Sequence, residues 1–405
     1  MAWLDGSHIL CVRMIRAWLI GAVVVMVLLV CAAGGAAAWW ESRSDLERTL
    51  ADLRAQGIAP TWAEVVPPPR DEGHVALAEA IVAASERVPV TPEDATTAVA
   101  VAAWATAAGA ELDALRAAVD ALPVAPRFGG PRVFTSRFPW CEWRTAVVRL
   151  LWASRVADDP AADLQRLVHL VDAHPQATHI ELTVSEHLRS LVLGAIAAAH
   201  RDGRTDARWL PVVRAWAVRP RQIATAALSD LRAVVDLYDR PAEEAASMAR
   251  MQLGRRASDR LSPMLVRRGR AGLVRWMGAM AGELAVDPER AGPKTWTVWN
   301  QAAYGVSNRW SSWLEPDHEL ARHHFPSLTL IMDRETRGRL FAACVVAQLA
   351  GQAPPRDPWR RGGGPVEVLR IDGVPAGWYS VGDDGSDEGG SELHDWRMEV
   401  PSPLR

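Results

Sequence analysis

The sequence predicts a mainly α protein, with an N-terminal transmembrane helix, a multi-helix antiparallel domain and a small C-terminal β-hairpin. Three observations predict it. Residues 17–40 carry no charged side chain. Residues 71–350 hold a succession of stretches with apolar residues at helical spacing, punctuated by Gly and Pro. After residue 349 the chain turns rich in Gly, Pro and Asp, with two short runs of strand character. Composition agrees: of 405 residues 49% are hydrophobic and 23% charged, an ordinary globular balance rather than a disordered one. A net charge of −3 gives no footprint for a nucleic-acid partner. Lys294 stands alone among the arginines, a bias of genome composition. The 19 Trp against 5 Phe and 3 Tyr are expected to fill helical core.

Residues 1–16 form the cytoplasmic N-terminus and 17–40 the transmembrane anchor or signal sequence. A helix of 24 residues at 1.5 Å each reaches about 36 Å, enough to cross a bilayer core with some tilt. Arg13 and Arg16 flank it on one side, while Glu41, Arg43 and Asp45 nearly balance on the other. The positive-inside rule therefore leaves the N-terminus in the cytoplasm of a bacterial-type cell and puts residues from 41 onward outside it. Trp18, Trp39 and Trp40 suit an aromatic belt at the two interfaces. Two other readings stay open. Ala36-Ala37-Ala38 supplies small residues for signal-peptidase cleavage, which would release a secreted protein. Leu28-Leu29-Val30-Cys31 approaches a lipoprotein signal, although Val30 stands where a small residue is wanted. All three export the large domain.

Residues 41–70 read as a stalk helix and Pro-rich spacer. Leu46, Leu50 and Leu53 share a stripe over 42–56, and Gly57 suits a helix stop. Thr61-Trp-Ala-Glu64 fits a capping box, and the prolines at 67–69 predict an extended spacer. The helical domain, 71–350, begins with a helix over 74–88. Thr91-Pro92-Glu93-Asp94 is a start signal with a cap, a first-turn proline and acids. Ala-rich helices follow to 122, broken at Gly109, then a loop over 123–139 with four prolines and a Gly pair. Helices at 140–156, 160–173 and 178–200 read as consecutive antiparallel neighbours with short links. Further helices are expected at 207–217, 221–238, 241–253, 256–283 (interrupted by Pro263) and 334–350. No repeat period is visible, so the domain is not read as a solenoid.

Residues 351–405 are expected to pair Val366–Ile371 with Gly377–Val381 as a hairpin closed by the Asp/Gly loop. Within this tail stand Asp357-Pro358-Trp359, Tyr379-Ser380-Val381-Gly382-Asp383-Asp384-Gly385, Gly389-Gly390 and Asp395. This pattern resembles the C-terminal end of the major pseudopilins of type II secretion. It is also similar to the tails of large, uncharacterised exported bacterial proteins. In those a membrane segment and Ala/Leu-rich hairpins precede a helix and a Pro-containing link, and Arg337-Gly-Arg-Leu-Phe-Ala-Ala lies in the matching place. The detailed likeness covers about 70 residues. In pseudopilins the loop holds calcium. Carried over by position, that implies Asp384, Asp387 and Asp395 as ligands, with Ser380 and the Val381 carbonyl as weaker ones. The chemistry is sensible, because calcium takes six to eight oxygens from carboxylates and carbonyls. The bland reading is a solvated acidic loop. An EF-hand is excluded: Asp383 and Asp387 fit positions one and five, but Gly385 sits at three and Glu388 where Gly is needed. One departure weighs against pseudopilus assembly. The apolar segment, Trp18-Leu-Ile-Gly-Ala-Val-Val-Val, has neither the Gly-Phe processing site nor the Glu that follows it in that family.

Elsewhere His169, His174, His179 and His187 cluster in sequence with Glu181 and Glu186. A zinc site is the sharp reading and solvent-facing or capping His the plain one; the His-Glu-x-x-His spacing of zincins is absent. Arg250, Arg255, Arg256, Arg260, Arg267, Arg268, Arg270 and Arg275 stand against Asp259, with leucines between. That stretch reads either as a basic amphipathic surface for anionic lipid or an acidic partner, or as a solvated face with salt bridges. Cys141 and Cys344 either pair in an oxidising compartment or stay buried thiols. Acid pairs such as Asp158-Asp159 suit helix starts. No phosphate loop and no Gly-x-Ser-x-Gly elbow is present. The resulting expectation is a membrane-anchored extracytoplasmic scaffold, with the bilayer and an envelope protein as partners. The alternatives are an exported hydrolase with its site near 169–187, and a secretion-apparatus component.

Overall fold

The computed structural model describes residues 24–30, 32–33, 46–65, 70–90, 97–126, 140–175, 179–205, 207–239, 263–287, 334–360, 362–371, 373–382, 387, 389 and 396–401. It is mainly helical, with one small antiparallel sheet at the C-terminal end. The chain divides into two compact units. One holds residues 1–58, 237–276 and 306–323, and the other 59–236, 277–305 and 324–405.

In the first unit α1 spans 46–55. Its stripe is partly as expected: Leu46 and Leu53 are buried, while Leu50 is half-buried. The stop falls at Gly57, whose φ of 79° lets the Ile58 N–H bond back to the Leu53 carbonyl. Inside the expected membrane segment, residues 24–30 and 32–33 are helical, with Val24 through Val30 all more than half exposed. The remainder of 17–40 lies outside the described residues. Among the described residues no single helix is long and apolar enough to cross a membrane.

The second unit begins with a single 3-10 turn, Trp62–Glu64, where a capping box was expected. The Thr61 hydroxyl donates to the Glu64 carboxylate at 2.6 Å instead of accepting from a backbone N–H. With the prolines directly behind it, no helix is available to cap. Six helices then form in order: α2 (Glu72–Arg87), α3 (Ala98–Ala107), α4 (Gly109–Asp120), α5 (Trp140–Val156), α6 (Ala161–Ala173) and α7 (His179–Arg201). Asp71 caps α2 by accepting from Gly73 and His74 N–H groups. Thr97 caps α3; the expected start at Thr91-Pro92 lies outside the described residues. The expected break before Gly109 bends α3 against α4 by 77°. Asp159 accepts from the Ala161 N–H at the start of α6, the capping role expected for the Asp158-Asp159 pair.

Helix α5 is central, packing on α2, α3, α6 and α7. Its inner face is Trp143, Ala146, Val147 and Leu150, all fully buried. Helices α4 and α6 are clamped by ion pairs. Arg116 grips Asp163 through two bonds of 2.9 and 2.8 Å, and Arg166 grips Asp120 through bonds of 2.8 and 2.7 Å. Then follow α8 (Leu210–Val218), α9 (Ile223–Asp239), α10 (Pro263–Val286), whose residues 263–276 belong to the first unit, and α11, residues 334–349. Pro263 was expected to interrupt a helix over 256–283. Pro263 is the first described residue of α10, and 256–262 lie outside the described residues.

The tail forms three strands rather than a hairpin: β1 (Glu367–Ile371), β2 (Val374–Ser380) and β3 (Trp396–Glu399), in the order β1-β2-β3 and all antiparallel. The hairpin turns at Gly373, so the Asp/Gly loop links β2 to β3 rather than closing β1 on β2. Gly377 is obligatory where it sits. Its φ is 144°, and a Cβ there would overlap the Met398 carbonyl of β3. Leu369, Ala376, Trp378, Trp396 and Met398 face inward and join one hydrophobic core with the helices, apart from Leu369 and Ala376. Phe341 of α11 meets Trp378 edge-on at 6.1 Å, and Trp359 meets Trp396 at 4.0 Å. The tail is therefore packed onto the helices, not tethered beside them.

Candidate functional site

The histidine and glutamate set of 169–187 is divided among separate jobs. His169, on α6, donates from Nε2 to the Leu122 carbonyl at 2.9 Å. His174 ends α6, bonds the Pro175 carbonyl at 2.8 Å and meets Trp143 edge-on at 6.0 Å. Burial pushes its imidazole down to about 4, so it is neutral near pH 7. The side chain of His179 lies outside the described residues. Glu181 is buried. His187 is exposed, and its Nε2 accepts from Arg144 Nε at 3.2 Å. Partial burial and the charges of Arg144 and Arg334 hold its pKa down. Among the described residues no group of three or more His, Cys, Asp or Glu is placed to hold a metal.

What α7 builds instead is a buried ionic junction. Glu186 and Arg189 lie one helical turn apart, both 2% exposed, and Arg189 Nη1 donates to Glu186 Oε1 at 2.6 Å. Arg219, just after α8, donates to the same oxygen. Glu186 Oε2 has no hydrogen-bond partner among the described residues, and it lies against Gly338 of α11. A Cβ at 338 would overlap it, which is why α11 carries glycine there. Beside it Glu335, fully buried, accepts the Gln222 N–H at 2.6 Å. Arg221 donates to Thr336 at 3.0 Å, and Arg339 to the Ala217 carbonyl at 3.3 Å. Three elements are thus tied at one point: α7, the α8–α9 link and α11. Burial raises the pKa of Glu186 to about 7, against the pull of Arg219 and Arg339. Burial and Glu186 together raise that of Glu335.

Above this junction opens a cleft of about 360 Å³. Its basic side chains are Arg334 and Arg337 of α11, Arg397 of β3 and His187 of α7; its apolar walls include Leu151, Leu191, Phe341 and Met398. Arg337 is held over the Trp396 ring, 3.1 Å from its centroid. Arg397 is 3.7 Å from Glu399. A second cavity, of about 540 Å³, lies beside the end of α5. There Arg204 fills a capping role, donating to the Arg155, Ser154 and Ala157 carbonyls.

Of the five calcium candidates, Asp384 and Asp395 lie outside the described residues. Asp387 accepts from Arg360 at 2.6 Å, from the Tyr379 hydroxyl at 3.1 Å and from the Gly389 N–H at 3.0 Å. The Tyr379 phenol is pushed up to about 12, by burial first and then by Asp387. The Ser380 hydroxyl serves another acid, and at Val381 it is the N–H, not the carbonyl, that does so. The Ser380 hydroxyl and the Val381 N–H each donate to Asp357 at 2.9 Å, and the Trp359 N–H does so at 3.0 Å. Asp357 is 2% exposed.

Cys344 is a free, buried thiol raised in pKa by burial and by Asp357; the side chain of Cys141 lies outside the described residues. So does most of the arginine-rich stretch. Arg275 alone is described in full, donating to Thr49 at 3.4 Å. Sequence reasoning had Glu186 in a histidine cluster and missed its partners. The readable signal was the Glu186-x-x-Arg189 spacing on one helix. No family model, no curated protein and no solved structure matches this chain.

Proposed function

We propose that this protein is a single-pass, membrane-tethered component of the bacterial envelope, whose helical part lies outside the cytoplasm as a non-enzymatic interaction scaffold. One observation carries the scaffold reading. The side chains with catalytic chemistry in 169–187 are largely committed to structure: His169 and His174 to carbonyls, and Glu186 to two arginines. The tether rests on the uncharged run at 17–40 and its flanking arginines. In spheroplasts the full-length chain is expected to remain in carbonate-washed membranes and to be cut by external protease. Protection from protease would overturn export, and a soluble chain starting just after Ala38 would replace the anchor with a cleaved signal. A detergent-extract pulldown that yields no specific partner would count against the scaffold.

A second reading, an exported hydrolase, is favoured by one feature: Glu186 and His187 line the same cleft. It is weakened by the bonds both already make. For the Asp/Gly loop, calcium remains a proposal from the tail's likeness to pseudopilins. Calcium would have to displace Arg360 from Asp387. The expected result is a rise in melting temperature with calcium that disappears in Asp384→Ala. No shift at millimolar calcium would rule the site out.

A further inference from the structure

We propose that the cleft between α7, α11 and β3 binds a small anionic molecule with an apolar body, such as an arylalkyl phosphate or carboxylate. The proposal rests on the scaffold reading, in that the cleft binds without turnover. Its chemistry is on two walls. Arg334, Arg337, Arg397 and His187 line it, and Arg144 stands behind His187. Among the described residues the acids that also line it are Glu399, 3.7 Å from Arg397, and Glu186, whose carboxylate is held by Arg189 and Arg219. Among the described lining residues three arginines therefore stand against two acids, where low-dielectric walls strengthen their charge. Opposite lie Leu151, Leu191, Phe341 and Met398, a surface that a bare inorganic ion would leave unused. A space of about 360 Å³ falls near the small end of ligand sites, which run from roughly 300 to 1,000 Å³. Guanidinium groups match phosphate and carboxylate oxygens in pairs, and Arg337 is pre-positioned by its stacking on Trp396.

Neither wall would serve alone. The junction below seats α11 on α7 through Gly338 and Glu186 and ties it to α8 through Arg339, so the cleft exists before any ligand arrives.

The test uses the full chain in phosphatidylcholine nanodiscs, with phenyl phosphate, inorganic phosphate and benzyl alcohol followed by saturation-transfer NMR. Phenyl phosphate is expected to bind saturably, and about tenfold more tightly than either half-ligand. Arg334→Gln is expected to weaken it about tenfold, and Leu191→Trp, which fills the cleft from another helix, to abolish it. Melting curves of both variants show that the fold is kept. Equal binding of phenyl phosphate by wild type and both variants, or no binding, would overturn the cleft and leave the scaffold reading standing. Release of phenol in the same samples would overturn the scaffold reading and leave the cleft. Phosphatidylglycerol vesicles that displaced phenyl phosphate would overturn a free small molecule in favour of a lipid headgroup; no displacement is expected.

Discussion

Glu186→Ala is expected to destabilise the protein by about 3–5 kcal/mol, because it removes the shared acceptor of two buried guanidiniums and leaves their charge without a partner. Arg189 is 2% exposed and Arg219 11%. Urea denaturation of the full chain measures the loss as a lower midpoint at unchanged slope. A loss under about 1 kcal/mol would show that the guanidiniums find other acceptors.

Glu186→Gln separates charge from hydrogen bonding. Its amide keeps the volume and one acceptor oxygen but does not titrate. The native carboxyl is raised from 4.5 to about 7, so the folded state binds its proton more tightly than the unfolded one. The stability this contributes is complete below pH 4.5 and is lost as pH rises through about 7. Between pH 5 and pH 8 wild type should therefore lose stability more steeply than Glu186→Gln. Glu335 and Asp172, raised by burial, act in the same direction in both proteins, while His174, lowered by burial, acts in the opposite one, so the comparison rests on the difference between the two profiles. Parallel profiles for the two proteins would show that Glu186 stays ionised throughout.

Why the sequence announced some of this and not the rest follows from distance along the chain. Helix ends were legible because their signals are local. Gly57 and Asp159 act within a few residues of their own position. Strand β3 was missed although Trp396-Arg-Met-Glu399 alternates inward and outward, because four residues in an acidic Gly-rich tail give little periodicity to read. The junction joins residues 186, 219 and 335, and nothing in any one segment marks them as neighbours. The histidines looked like a site because they crowd in sequence, yet 169 and 174 lie at one end of α6 and bond different carbonyls.

Asp357→Ala is expected to release the tail, with a cost of about 3–5 kcal/mol, since each buried donor left unsatisfied costs about 1–3 kcal/mol. Its two oxygens accept from Trp359 N, Ser380 Oγ and Val381 N, all in a buried setting. Those contacts give the tail's sequence pattern a physical sense. Asp357-Pro358-Trp359 and Ser380-Val381 stand more than twenty residues apart, yet they are one unit: an acid and the donors it satisfies. A pattern of this kind can persist for folding alone, with no ion bound. Loss of the latch should expose Trp359, Trp378 and Trp396 to acrylamide quenching and speed exchange at the Trp359 and Val381 amides. Cys344 should also react sooner with a thiol reagent, because burial and Asp357 are what hold its thiol protonated. Asp357→Asn keeps one acceptor oxygen but points an amide N–H at a donor, so it should fall between wild type and alanine. If both variants keep native exchange at Val381, the sheet is held by its tryptophans alone, and the motif must be explained by something it binds.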